Sequence, residues 1–212
     1  MNEHGGHDKA LMLLAQAIAA SESDAVARLL KQSPVLARAS FAVGASRTGP
    51  KGFFLKPIGY YVYAGATALH VASAAHRTDI VQMLIDLGAD VRARNRRGAE
   101  PLHTAAIGRP GDPGFDPNAQ AATIAVLIAA GADPNAIDSS GVTALHRAVR
   151  TRSAAAVKAL IDHGADAARK TKNGSTALRL ATLPTGRSGS GSPEAKAQQV
   201  RILSVLTEHG SR

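Results

Sequence analysis

The chain contains no cysteine, which excludes disulfide bonds, cysteine-ligated zinc and cysteine nucleophiles. A thiol-free composition fits a reducing cytosol, and a cytoplasmic location is expected. Tryptophan is also absent, and the aromatic residues amount to three tyrosines and four phenylalanines in 212 residues. A core with so few rings has to be assembled from aliphatic side chains. No stretch approaches the roughly 18 apolar residues of a membrane-spanning helix. The segment "ALMLLAQAIAA" at 10–20 could pass for the core of a secretory signal, but its leader carries Glu3 and Asp8 against Lys9, the wrong charge for that role.

Alanine takes the place of the missing rings, with 43 copies in the chain. It is the best helix former and occupies little room, so closely packed thin helices are expected. The length suits one domain or one short repeat array.

The chain repeats itself. "ATALHVA" at 66–72 returns as "VTALHRA" at 142–148, with "EPLHTA" at 100–105 between them. Among the marker leucines, the step from Leu69 to Leu102 equals that from Leu145 to Leu178, and the step from Leu102 to Leu145 is longer. A second marker lies in "MLIDLGAD", "VLIAAGADPN", "ALIDHGAD" and "VLTEHG", and each time the next first marker follows at a constant distance. The unit is therefore about 33 residues long, and two copies are lengthened by about 10 and about 13.

This pattern resembles the ankyrin repeat, which has a 33-residue period and a Thr-Pro-Leu-His-x-Ala signature. A degraded copy precedes the clear ones: Leu14 and Leu29 keep the spacing of Leu69 and Leu84, but neither the threonine nor the histidine is present. The fold expected is an all-α, ankyrin-type helix-turn-helix solenoid with short β-turn fingers and about five repeats including terminal caps. Its divisions would be an N-terminal capping repeat at 1–40, an aromatic and basic finger insertion at 41–64, and repeats at 65–98, 99–141 and 142–174. A C-terminal capping repeat at 175–212 would complete it.

Thr67, Thr143 and Thr176 are placed to cap the first helix of their units. Gly88, Gly131 and Gly164 follow the second helices, where a left-handed residue is needed. The resemblance implies that His70, His103 and His146 are structural, bonding the nearby threonine and the adjoining backbone. Two departures stand out: Glu100 replaces threonine, and Arg179 replaces histidine in the last unit.

Three insertions interrupt the array. The first adds about 22 residues to the ordinary repeat, within 41–64, in the finger joining the first two units. The others lie between the two helices of their units, at 108–120 and 183–199. Fingers and interhelix turns occupy opposite edges of such a stack, so the first insertion should project away from the other two.

Chemistry is sparse. No catalytic triad or nucleophile elbow is recognisable. "GRSGSGS" at 186–192 lacks the Lys-Ser/Thr ending of a phosphate loop and reads as a flexible linker. "HGGH" at 4–7 reads as a polar tail rather than a metal site. No cofactor, metal or catalytic residue is expected.

Charge carries more information. Residues 25–78 hold seven bases and no acids, and residues 141–193 hold nine bases and two acids. The middle, 79–140, is acidic, yet it places Arg92, Arg94, Arg96 and Arg97 in one finger. Arg169, Lys170 and Lys172 occupy a later finger, and Arg147 can join them on the concave face. Phe41, Phe53, Phe54, Tyr60, Tyr61 and Tyr63 fall in one short window. The reading is a non-enzymatic module of monomeric form that binds an acidic protein, with Tyr60, Tyr61, Tyr63 and the finger cations in contact. Tyr60 and Arg94 lie outside the repeating positions, so replacing either should leave the stack folded. Nucleic-acid binding by the basic surface and an enzyme site at the insertions are the alternatives.

Overall fold

Short Thr-x-Leu-His segments that start helices, and glycines that stop them, divide the chain into helix pairs. The computed structural model describes residues 3–46, 49, 51–184 and 191–209, with 3–6, 51 and 209 described by backbone alone. The described helices are α1 (Glu3–Ala19), α2 (Ser23–Gln32), α3 (Ala68–Ala74), α4 (Thr78–Asp86), α5 (Pro101–Ala105), α6 (Pro117–Ala129), α7 (Ala144–Arg150), α8 (Ala154–Asp162), α9 (Ala177–Ala181) and α10 (Pro193–His209). Helix α1 begins at Glu3, so the segment read as a polar tail is helical, and the His4 side chain lies outside the described atoms.

The helices pack in two layers. Helices α1, α3, α5, α7 and α9 follow one another in the inner layer, while α4, α6, α8 and α10 form the outer one. A ribbon of two short strands, β1 (Phe54–Leu55) and β2 (Tyr60–Tyr61), lies in the first insertion, with Phe54 opposite Tyr61. The rest is an all-α solenoid.

Local chemistry sets the helix ends. The Thr67, Thr143 and Thr176 hydroxyls accept from the backbone N–H groups of His70, His146 and Arg179. Pro101 opens α5, where its missing N–H costs nothing. Gly88 ends α4 at φ +83°, and the next N–H, from Ala89, closes on the Leu84 carbonyl at 2.9 Å. Gly131 and Gly164 are likewise left-handed after α6 and α8.

Leu69, Leu102 and Leu145 in the inner layer, and Leu84, Leu127 and Leu160 in the outer one, are fully buried or within 1% of it. Burying a leucine stabilises by about 1.5–3 kcal/mol. The fourth marker, Leu178, is 42% exposed, and among the described residues no inner helix packs beyond α9 to cover it.

Histidines join one unit to the next. His70 Nδ1 accepts from the Thr67 N–H at 3.1 Å, and Nε2 donates to the Ala99 carbonyl at 3.0 Å. His103 spans Glu100 N–H and the Val142 carbonyl in the same way, and His146 spans Thr143 N–H and the Ser175 carbonyl. Each carbonyl belongs to the residue just before the next unit's N-cap. A second set of links runs along the other edge: His76 and Arg152, both left-handed, donate to the carbonyls of Ala105 and Ala181 at the ends of the next inner helices.

An imidazole facing an N–H on one side and a carbonyl on the other is neutral, with its proton on Nε2. Burial pushes the pKa of His70 and His103 down to about 4 from 6.5, and lowers those of His76 and His146. The unfolded chain therefore takes up protons below about pH 6.5 that the folded chain refuses until about pH 4. Their stabilisation is complete above that window and is lost as the pH falls through it, at up to about 1.4 kcal/mol per pH unit for each histidine. Urea unfolding should show a clearly lower midpoint at about pH 5 than at about pH 7.5; equal midpoints would mean that these imidazoles are not held neutral.

Candidate functional site

The fingers form a ladder beside the inner helices. Arg96 N–H donates to the Ala64 carbonyl at 2.7 Å, Ser139 N–H to the Arg97 carbonyl at 3.0 Å, and Lys172 N–H to the Ser140 carbonyl at 3.2 Å. Close approach needs a residue without a side chain at the tips held by Gly65, Gly98 and Gly141. A Cβ on Gly98, at φ +70°, would come within 2.9 Å of the Ser139 nitrogen. Gly65, Gly98, Gly141 and Gly174 all have positive φ. Their spacing along the chain repeats that of the marker leucines, so the finger tips too are legible in the sequence.

The finger cations divide into two groups. Arg94 is committed: its guanidinium pairs with Glu100 at 3.1 Å, and the Glu100 side chain is only 5% exposed. Glu100 thus departs from threonine by turning its carboxylate to Arg94, although one carboxylate oxygen, Oε2, remains buried without a partner. Burial raises the Glu100 pKa above the usual range, and Arg94 opposes that shift. Arg147 is committed too, pairing with Asp138 at 2.8 Å. Arg92 donates to the Gly131 carbonyl at the end of α6. Arg96, Arg97, Arg169, Lys170 and Lys172 are exposed and have no carboxylate within salt-bridge distance among the described residues.

The three tyrosines also differ. Tyr60 is buried in the core and its hydroxyl has no hydrogen-bond partner, so it is not an exposed contact and its removal would open the core. Tyr61 is 41% exposed and stacks on Phe54 with ring centroids 4.6 Å apart. Tyr63 is half-buried, with Arg96 and Arg97 over its ring at 5.3 and 4.9 Å and its hydroxyl accepting from Arg97 at 3.1 Å. Phe41 is buried, and Phe53 packs against the core.

The insertions do not stay on opposite edges. The ribbon of the first curls across the concave face until the Ile58 carbonyl accepts from Arg109, in the 108–120 insertion. Arg109 is itself paired with Asp112 at 3.6 Å, and Asp116 caps α6 through the Asn118 and Ala119 N–H groups. The lengthened finger has the reach that an ordinary turn between units lacks. The third insertion cannot be placed in the same way, since 185–190 lie outside the described residues.

The Arg94–Glu100 pair overturns the expectation that Arg94 is dispensable for folding. Truncating Arg94 leaves a buried carboxylate alone, so Arg94→Ala should destabilise by about 1–2 kcal/mol. Adding Glu100→Thr, which restores the usual capping residue, should recover most of that loss. Thermal unfolding of the single and double variants checks this; an unchanged melting temperature for Arg94→Ala would show that the pair does not neutralise Glu100.

Comparison with known proteins agrees with the geometry. Residues 64–96 match the family model described as ankyrin repeat, and residues 127–181 match the one described as ankyrin repeats (many copies). The human protein "Ankyrin repeat and SOCS box protein 6" is 31% identical over 177 residues, covering 78% of this chain and 38% of that protein. Human "B-cell lymphoma 3 protein" is 33% identical over 125 residues, 55% of this chain and 25% of its own length. Arabidopsis thaliana "E3 ubiquitin-protein ligase KEG" is 35% identical over 100 residues, 47% of this chain and 6% of its own length. The chain thus spans well under half of each of these relatives. Ankyrin repeats are in general protein–protein interaction modules, and among the described residues no helix is long and apolar enough to cross a membrane. With its repeating helix pairs, its Leu-His linkages and both family matches, this chain is an ankyrin repeat protein.

Proposed function

We propose that the chain is a non-enzymatic module that binds an acidic protein surface through its finger tips and concave face, in the cytoplasm. The observation that carries this reading is the set of exposed, unpaired cations on the stacked fingers. Arg169, Lys170 and Lys172 project from a finger whose backbone is tied to its neighbour through Lys172 and Ser140. Arg96 and Arg97 project two fingers away, and the exposed Tyr61–Phe54 pair lies on the ribbon beside them. A rigid backbone carrying unpaired charge reduces the ordering that flexible lysines and arginines would otherwise lose on binding. Like charges gathered on one surface steer an opposite one and raise its association rate. The net charge of +9 also suits nucleic acid, so the test has to separate the two.

The combined variant Arg169→Glu, Lys170→Glu and Lys172→Glu touches no paired side chain and should melt like the parent. Beads carrying parent and variant are incubated with nuclease-treated lysate, and retained proteins are identified by mass spectrometry. A defined protein retained by the parent and lost with the variant is the expected result. The reading fails if the parent instead binds duplex DNA with a salt slope near about −0.9 per neutralised phosphate, and the variant loses that binding.

A further inference from the structure

The ribbon of the first insertion and the 108–120 insertion border a half-open cavity of about 400 Å³ against the inner helices. That volume lies within the range of small-ligand pockets, roughly 300–1,000 Å³. The ends of α3 and α5 form its floor, with Ala74, Ala75 and Thr104, and the insertions supply Ile58 and Phe115 as apolar walls. The Arg109 bond to Ile58 joins the two insertions beside it.

Three guanidinium groups line the cavity, and two of them are spoken for. Arg109 holds Asp112, and Arg147 holds Asp138. Arg97 has no carboxylate partner and is positioned by Tyr63, whose ring lies under it and whose hydroxyl accepts from it. The Tyr60 hydroxyl, on a side chain only 8% exposed, belongs to the same lining; Asn95 is its neighbouring polar side chain, but the two do not meet in hydrogen-bond geometry. Asn95, the neighbouring amide, already gives its side-chain oxygen to the Arg97 and Ala99 N–H groups. A buried donor and a cation without a carboxylate partner therefore line the same cavity as the apolar wall. Such an arrangement leaves an unmet hydrogen bond that a buried site does not carry without cost.

We propose that this cavity binds a single carboxylate carried on a small apolar or aromatic body. Arg97 and the Tyr60 hydroxyl take the carboxylate, and Phe115, Ile58 and the alanines take the body. A free organic acid and the last residue of a protein chain present the same chemistry. The site is independent of the finger cations 169–172, so the two readings fail separately.

The protein carries its own reporter. All three tyrosines line the cavity and there is no tryptophan, so tyrosine fluorescence arises entirely at its walls. The probes are N-acetyl-phenylalanine, its neutral amide, and a hexapeptide ending in phenylalanine with a free or an amidated C-terminus. Binding is followed by tyrosine emission and confirmed by calorimetry. The free acid should bind at least tenfold more tightly than its amide, and Arg97→Gln should remove that preference. Tyr60→Phe should weaken the acid at least threefold while leaving the melting temperature unchanged or higher, since it deletes an unsatisfied buried hydroxyl. A hexapeptide acid much tighter than N-acetyl-phenylalanine identifies a chain end as the source, and equal affinities identify a free acid. Equal binding of acid and amide, no binding of either acid probe, or an unaltered preference in Arg97→Gln overturns the proposal.

Discussion

A helix pair of this size cannot bury its own apolar face, and every other feature of the molecule follows from how that face is covered. Stacking supplies the cover, but two thin helical layers rich in alanine interdigitate weakly and could slide. The histidine links remove that freedom. Each imidazole reads the start of its own helix through Nδ1 and the start of the next unit through Nε2, so register between neighbours is set by directional bonds inside a dry core. An unmade bond there leaves a buried carbonyl without a donor, which penalises a slipped stack more than the bond itself stabilises the correct one. In α9 the histidine position is held by Arg179, and among the described residues that side chain makes no such link.

The same stacking turns the finger cations into two populations. Cations needed to neutralise something buried are consumed by the fold, as Arg94 is by Glu100 and Arg147 by Asp138. Arg92 is consumed by a helix terminus, where a cation meets unsatisfied carbonyls and the negative end of the dipole. What remains free on the surface is the set that the fold does not use. Counting bases in the sequence overstates the binding surface for this reason, and the exposed tyrosine surface is overstated in the same way by Tyr60.

Insertions in a repeat array are tolerated because they fall where the stack does not need them. Here they do more than hang from it. The long finger and the longer turn between α5 and α6 meet above the inner helices, joined by Arg109, and so deepen part of an open groove into a half-open cavity. A tyrosine hydroxyl shielded from water there makes stronger polar interactions than the same group on an open finger.

The amino-acid sequence by itself determined the period, the helix starts at Thr67 and Thr143, and the stops at Gly88, Gly131 and Gly164. These are local matters: a cap, a left-handed residue or an apolar stripe acts within a few residues of where it is written. Spacing also contained the finger glycines, whose recurrence repeats that of the leucines. Only the tertiary structure decided which charges and rings were free. Arg94 meets Glu100 across a finger turn, Tyr60 is covered by helices from other units, and Ile58 meets Arg109 from 51 positions away. Those outcomes depend on where the stack carries each side chain in space, and no pattern within a single unit encodes that distance.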